Sequence, residues 1–441
     1  MADISTTVAG IKMRSPIGVA SLAPLNWWYP AGPLQKIVDW HKRCIDYGAG
    51  FVYTPSSLPG DEPNPIRQYK IGQYVGYGDR KRHGYYLCCP EEVNQSIKTN
   101  VRFIKALKKA IPAEIPIVAS LIDPKGRPEA YADLARQLES AGADMLEVNG
   151  GCPLSLMERP EEATSMEDKY GVMLGASAAL VGPIVQAIAD AVKIPVGFKL
   201  TPQAGFPGLM GVVEACVNAG AKFVQTTHYP LAIGPIDIYN GGKPLWPILK
   251  EVETNQLTCA GGSDPIRVSS NFYTACTAMF FPRKIDIWAG GGLVTGEHLV
   301  ESIMYGAICG QTASGVMFLG TRQIGKIISF LSKFMDDHGY KTINDFRGIA
   351  LKYIKPIGQA VNESRKVRLA AEVDASKCAG CGICADTICP AIDMEHGVAK
   401  VRQDDCAACG LCLLVCPEEA IHFAPSKRTI GERIDMGKMY Y

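Results

Sequence analysis

Eight of the sixteen cysteines in this 441-residue chain fall between Cys378 and Cys416, and their spacing constrains the fold more than any other feature. Cys378, Cys381, Cys384 and Cys389-Pro390 read C-x2-C-x2-C-x4-C-P, and Cys406, Cys409, Cys412 and Cys416-Pro417 read C-x2-C-x2-C-x3-C-P. Three thiolates on one tight, glycine-containing loop can cap three irons of a cubane, but the fourth iron must be reached from a distant segment. Each run therefore supplies the other's last ligand. Cys378, Cys381, Cys384 and Cys416 are expected to hold one 4Fe-4S cluster, and Cys406, Cys409, Cys412 and Cys389 the second. The extra residue before Cys389 lengthens only the segment that crosses between clusters. Zinc is the competing reading, yet it wants four ligands in one tetrahedral array rather than two interlocked sets of four. Such clusters exchange one electron at a time, so this module is a link in a redox chain.

The rest of the chain is too long for one ordinary domain of roughly 100 to 200 residues but suits a barrel of about 250 or more. Up to about residue 330, short apolar or β-branched runs alternate with helical stretches, the pattern of repeated βα units around a parallel sheet. Eight strands are expected, at 17–22, 51–54, 115–122, 145–149, 196–201, 223–228, 285–289 and 315–319. Helical spacing shows in Leu134, Ala135, Leu138 and Ala141, in Leu299, Val300, Ile303 and Met304, and in Ile324, Ile327, Ile328, Leu331, Phe334 and Met335. Eight units favour an α/β fold of the closed (β/α)8 TIM-barrel type, followed by a C-terminal bacterial-type two-cluster ferredoxin domain. The expected boundaries are a barrel over 1–345, a linker over 346–370, the cluster domain over 371–425 and a tail over 426–441 that frays or packs on a partner.

Forty-five basic against 44 acidic side chains leave a net charge of +1, so no overall field favours nucleic acid or an anionic membrane. The start, Met-Ala-Asp-Ile-Ser, lacks a basic segment followed by an apolar run, and no stretch of about 18 apolar residues occurs. A soluble cytoplasmic protein is expected. Connections at 25–34, with Trp27, Trp28 and Tyr29, at 55–98 and at 229–284 follow strands, so they belong at the C-terminal rim where barrel active sites form. They are substrate loops or surface insertions. Arg80, Lys81, Arg82 and His83 read as solvated loop. The remaining seven cysteines apart from Cys152 read as structural.

Single electrons need a converter where chemistry moves hydride, and a flavin is the usual one. No Gly-x-Gly-x-x-Gly opens a helix after a strand, which argues against a nicotinamide site. Gly290-Gly291-Gly292 and Gly320-Thr321, after the last two strands, offer backbone N–H groups for a phosphate, or are tight turns. At these residues the sequence resembles the flavin barrels of the dihydroorotate dehydrogenase and dihydropyrimidine dehydrogenase family. The likeness runs from Thr7-Val8-Ala9-Gly10-Ile11-Lys12 and Pro16-Ile17-Gly18-Val19-Ala20-Ser21 into the cluster domain. The order of barrel then two-cluster module is similar to the pyrimidine-reducing part of that family.

The resemblance implies FMN, with Ala20, Ser21, Thr54, Thr226, Gly291, Gly292, Gly320 and Thr321 against it. It implies that Lys199 stabilises charge on the reduced ring, although an internal salt bridge is the alternative for a lysine inside a barrel. Asn149, Thr227 and His228 are the implied substrate contacts, and Cys152, in Asn149-Gly150-Gly151-Cys152-Pro153, the proton donor. The family's strand-two lysine falls on Pro55, a strand-three Asn near Asp123-Pro124, the Ser before the cysteine on Gly151, and Thr-Asn-Thr on Thr226-Thr227-His228. A hydroxyl or imidazole cannot copy both edges of the lost amide, which argues against uracil or thymine. The expectation is an FMN- and iron-sulfur-dependent enzyme acting on the activated C=C bond of a small planar cyclic compound. Its electrons would come from an NAD(P)H-dependent flavoprotein subunit or a ferredoxin, in a homo- or hetero-oligomer. A pyrimidine dehydrogenase subunit and a flavin-free electron carrier are the alternatives.

Overall fold

Short runs of alternately inward and outward residues build eight parallel strands: β1 (Ile17–Val19), β2 (Val52–Tyr53), β3 (Ile117–Leu121), β4 (Met145–Asn149), β5 (Val196–Lys199), β6 (Phe223–Gln225), β7 (Asp286–Ala289) and β8 (Cys309–Thr312). The computed structural model describes residues 2–22, 34–60, 72–75, 85–88, 95–123, 125–151, 173–232, 236–244, 251, 259–262 and 264–437. Ladders join β2 to β3 and each following strand to the next, and β8 pairs with β1 through Gly310↔Ile17, Gln311↔Gly18 and Thr312↔Val19. No ladder joins β1 to β2. Their seam is held by the Gly50 N–H donating to Ile17 O at 2.8 Å and by Ser15 Oγ donating to Gly48 O at 2.7 Å. A side chain at Gly50 would start 2.0 Å from Ser15 O, so only glycine lets this near-closed barrel close.

Helices cover the outside: α1 (Leu34–Asp46), α2 (Ile97–Ala110), α3 (Pro128–Ala141), α4 (Ala178–Ala191), α5 (Gly208–Asn218), α6 (Arg267–Phe280), α7 (Gly296–Met304), α8 (Ser314–Leu319) and α9 (Arg322–His338). Leu134, Ala135, Leu138 and Ala141 of α3 pack with outward Ile117, Ala119, Leu146 and Val148. Leu299, Val300 and Ile303 of α7 and Ile324, Ile327, Leu331 and Met335 of α9 pack with Ile17, Val19 and Ile287. Each fully buried side chain of this kind is worth about 1.5–3 kcal/mol. Inside, Phe51, Tyr53, Val118, Met145, Phe223, Trp288 and Cys309 fill the lower barrel. Trp288 stacks on Phe223 at 4.8 Å between ring centroids and leans on Phe51 at 4.6 Å. The hairpin Thr6–Val8/Ile11–Met13 plugs the end with Val8 and Met13.

The expected eighth strand is corrected. Residues 315–319 lie in α8, and the closing strand is Cys-Gly-Gln-Thr at Cys309–Thr312. A four- or five-residue apolar run does not distinguish strand from helix, while a strand whose inward residues are Cys309 and Gln311 carries no hydrophobic signature. The two long insertions do not stay separate. Gly72–Val75 and Tyr85–Cys88 from the first form an antiparallel sheet with Leu231–Ala232 and Cys259–Gly262 from the second. Trp27, Trp28, Tyr29, residues 80–83 and Cys152 lie outside the described residues.

By its contacts the chain divides into two units, Met1–Leu351 and Lys352–Tyr441. In the second, Leu369–Val373 pairs antiparallel with Ile421–Pro425, and Ile392–Glu395 with Val398–Val401. Ahead of them Ile357–Arg365 is helical. The stretch after residue 426 forms a helix, Ile430–Gly437, that packs on its own unit. Buried Arg433 donates to Gln403 O at 3.0 Å and also to Leu369 O at 2.5 Å, ending carbonyls that would otherwise need water. Among the described residues no helix is long and apolar enough to cross a membrane.

Candidate active site

In the second unit the cysteines sort into two cavities. Cys378, Cys381, Cys384 and Cys416 line one, with Val373, Met394 and Ile421, and Cys389, Cys406, Cys409 and Cys412 line the other, with Ala371, Ile392 and Phe423. Burial pushes the Cys384 thiol up, and the nearby Cys378 and Cys416 push the same way. For Cys412 the neighbours are Cys406, Cys389 and Cys409. Among the described residues no three His, Cys, Asp or Glu side chains converge tightly enough for a single ion. Four thiols around a cavity are what a cubane requires. Backbone N–H groups of Ala371 and Ala408 point at Cys406 Sγ, both at 3.4 Å, and that of Ala420 at Cys416 Sγ, at 3.3 Å. Gly380, at φ +69°, sits where a Cβ would lie 2.5 Å from Gly397 O, which is how the first loop folds so tightly.

In the barrel, register places Asn149, Lys199, Gln225 and Trp288 in one row across β4 to β7. Lys199 is 5% exposed. Its Nζ lies 3.9 Å from Oε1 of the fully buried Glu147, an ion pair but not a hydrogen bond. Glu147 Oε2 accepts from the Tyr53 hydroxyl at 3.0 Å. Burial pushes the Glu147 carboxyl up, and the Lys199 charge and the Tyr53 hydrogen bond pull it back. Burial and then the Glu147 charge hold Tyr53 protonated. Gln225 Oε1 and Thr227 Oγ1 are buried with no hydrogen-bond partner among the described residues. Buried polar atoms are rarely left so. An ammonium, an amide oxygen and a hydroxyl at the C-terminal ends of the adjacent strands β5 and β6 supply both a donor and acceptors, as a planar heterocycle such as the FMN ring requires.

The loops after β7 and β8 are stitched together: Thr312 Oγ1 donates to Leu293 O at 2.7 Å, and Gln323 Nε2 to Val294 O at 2.9 Å. This joins Gly290-Gly291-Gly292 to Gly320-Thr321, beside the positive N-terminal end of α9. Gly291 and Gly292 have φ of +79° and +83°, and Cβ atoms there would meet Ser270 Oγ at 2.5 Å and Arg267 N at 2.7 Å. Their freedom is spent on packing against the start of α6. Gly320, at φ +76°, faces open space. Ala20 N–H donates to Thr312 O at 3.1 Å, and Ser21 Oγ to Thr54 O at 2.8 Å, so the ends of β1, β2 and β8 meet. The Thr54 hydroxyl is committed to Pro55 O and Ser120 N–H. The Thr226 hydroxyl pairs with Thr274 of α6 at 2.8 Å, on the outer side of the strand.

On the substrate side, Asn149 Nδ2 donates to Ser56 Oγ at 2.9 Å and its Oδ1 accepts from Gly151 N–H at 3.1 Å. Ser56 Oγ and Ser120 Oγ share a further bond of 2.8 Å. His228 stands against Tyr229, with ring centroids 3.6 Å apart. A Cβ on Gly151 would lie 2.3 Å from His228 Cγ. Positions 151 and 228, far apart in the sequence, are thus coupled in space, the absence of a side chain at Gly151 making room for the His228 ring. Sequence reasoning missed Glu147, Tyr53, Gln225, Ser56 and Ser120. Period-two alternation from Lys199 and Asn149 would have pointed to Glu147 and Gln225, since partners in register face the same lumen.

Residues 370–417 match the 4Fe-4S dicluster domain family. The chain is 24% identical over 384 residues to the NAD-dependent dihydropyrimidine dehydrogenase subunit PreA of Escherichia coli (strain K12), covering 87% of this chain and 84% of that one. It is 25% identical over 360 residues to the chloroplastic dihydropyrimidine dehydrogenase (NADP(+)) of Arabidopsis thaliana, covering 80% and 78%. It is 26% identical over 355 residues to the catalytic subunit of dihydroorotate dehydrogenase B (NAD(+)) of Thermoplasma acidophilum, covering 80% of this chain and 100% of that one. With its near-closed parallel barrel, its paired cysteine cavities and this likeness over most of its length, the chain belongs to the dihydroorotate/dihydropyrimidine dehydrogenase family of oxidoreductases acting on CH–CH groups.

Proposed function

We propose that the chain is an FMN- and iron-sulfur-dependent oxidoreductase that reduces, or in reverse oxidises, an activated C=C bond of a planar cyclic substrate. The observation that carries this reading is the buried Lys199 ammonium, ion-paired with Glu147, together with the Gln225 and Thr227 side-chain oxygens, none of the three having a hydrogen-bond partner among the described residues. FMN in this mouth would supply hydride exchange and join the one-electron traffic of the clusters to two-electron chemistry. Lys199 supplies positive charge where the ring gains negative charge. Ala20, Ser21 and Thr54 shape the strand ends around the ring, Thr226, whose hydroxyl faces α6, could offer it only backbone, and Gly291, Gly292, Gly320 and Thr321 form the phosphate end. Asn149, fixed by Ser56 and Gly151, presents its amide in one orientation to the substrate. Cys152 follows Gly151 directly and gives the proton, since a thiol with an ordinary pKa near ~8.5 is largely protonated at neutral pH.

Thr227 and His228 stand where a pyrimidine reductase carries an amide, which favours a substrate offering a carbonyl or phenolic oxygen to this edge. Relatives named as subunits support a partner, here a nicotinamide-dependent flavoprotein or a ferredoxin, delivering electrons through the clusters. The test is anaerobic purification with identification of released cofactor. The protein is then reduced and screened against cyclic enones, pyrimidines and hydroxylated aromatics while reoxidation of the flavin band is followed. Bleaching by dihydrouracil would assign a pyrimidine substrate instead, and iron and sulfide without FMN would leave an electron carrier. A C152A or C152S protein that keeps FMN and turns over at the wild-type rate would remove the cysteine from the mechanism.

A further inference from the structure

Nothing in the proposed chemistry calls for a second ionisable group deep in the barrel, yet Glu147 is there, fully buried on β4. It stands two residues before Asn149, the in-register partner of Lys199, so it lies one inward row below the mouth. Its Oε2 is fixed by the Tyr53 hydroxyl at 3.0 Å, and its Oε1 accepts no hydrogen bond among the described residues. The Lys199 ammonium, 3.9 Å from that oxygen, likewise makes none among the described residues. A buried pair at this separation gains Coulomb attraction while leaving the ammonium's N–H donors unspent. Tyr53 is held in turn by the aromatic side chains of the lower barrel, its ring 5.9 Å from Phe51 and 5.7 Å from Trp288. The carboxylate therefore has one orientation and one cation.

We propose that Glu147 is a positioning residue acting through Lys199: it holds the ammonium at the level of the mouth with its donors free for the ligand, and its own charge offsets part of the ammonium's, setting how strongly the site prefers reduced over oxidised FMN. This rests on the flavin reading above. Replacing the carboxylate by an amide of the same shape leaves the ammonium's full charge acting on the ring. A unit charge at the distance of one or two barrel rows shifts the ratio of the two affinities by roughly tenfold.

The experiment is an anaerobic midpoint titration of the FMN-loaded protein in wild type, E147Q, Y53F, K199M and E147Q/K199M. E147Q raises the preference for reduced FMN by about tenfold and moves the midpoint upward. Y53F, which removes the hydrogen bond favouring the carboxylate, shifts it the same way by less. Without the lysine, E147Q adds nothing, because burial then leaves Glu147 protonated. An E147Q protein that holds FMN with its preference within about twofold of wild type overturns the inference, as does an equal shift with and without Lys199. Should E147Q not fold, an unchanged preference in Y53F overturns it instead. Wild type without releasable FMN removes the flavin reading and this inference together, whereas retained FMN with a flat ratio removes this inference alone.

Discussion

Acid should loosen the barrel through one buried imidazole. His41 of α1 is 1% exposed, with Nδ1 2.8 Å from Ile37 O and Nε2 3.3 Å from Tyr53 O, between the rings of Trp40 and Phe103. Burial lowers its pKa from 6.5 to about 4, against the two carbonyls, which favour the charged form. The unfolded chain therefore binds a proton below about 6.5 that the folded chain refuses until about 4. Stability from this site is complete above pH 6.5, falls as the pH drops through that window, and is level below it. A difference of 2.5 units, at 1.36 kcal/mol per unit, makes the loss about 3 kcal/mol. The comparison is urea unfolding of wild type and H41N from pH 7.5 to 4, in which carboxylates common to both cancel. All five tryptophans precede residue 351, so their fluorescence reports the barrel unit. The stability of wild type relative to H41N should decline by about 3 kcal/mol across the window. A difference that stays level from pH 7 to 4 would refute the assignment of the acid lability to His41.

The interlocked ligand sets predict that C416S and C389S each lose roughly half of the wild-type iron, from different clusters. The double variant C384S/C416S should then lose no more iron than C384S, whereas stripping of both clusters would show that Cys384 and Cys416 serve different ones. At the mouth, G151A places a methyl group 2.3 Å from His228 Cγ and should cost about 1–3 kcal/mol in thermal unfolding, most of it recovered in G151A/H228A. Additive effects in that cycle would separate the two positions.

The cluster module was almost wholly legible because its chemistry fixes its spacing: thiolates must reach irons, and no other residue serves. Seven of the eight barrel strands were legible for a different reason, since Ile117, Leu146, Phe198 and Val224 must face outward into helices and so stand in apolar runs. β8 escaped because both its inward residues, Cys309 and Gln311, answer to the lumen rather than to a core. Helix α6 was hidden inside an insertion whose polar face, with Ser270, Asn271 and Thr274, is buried against the β7 loop and Thr226 rather than solvated. Gly151 and His228 stood out in the sequence as two separate oddities, but their contact needs two strands to be neighbours in space, which spacing along one chain does not record.

The polar rows above the plug explain where this barrel can vary. Lys199 and Glu147 together forfeit several kcal/mol of hydration each, and their attraction recovers it only at fixed geometry. The stacked Trp288, Phe223, Phe51 and Tyr53 below supply that rigidity and much of the apolar burial that offsets the cost. A change among these rings would therefore move the charges, which sit where the proposed flavin would bind. Pro55, Gly151, Thr227 and His228, where the sequence reading expects departures from the family, lie outside the Lys199–Glu147–Tyr53 set, so a side chain there can change its partner without disturbing the ion pair. If the proposed flavin and substrate contacts hold, substrate choice and redox chemistry would be carried by different layers of one lumen, and changing His228 would alter the first while leaving the Lys199–Glu147 pair in place.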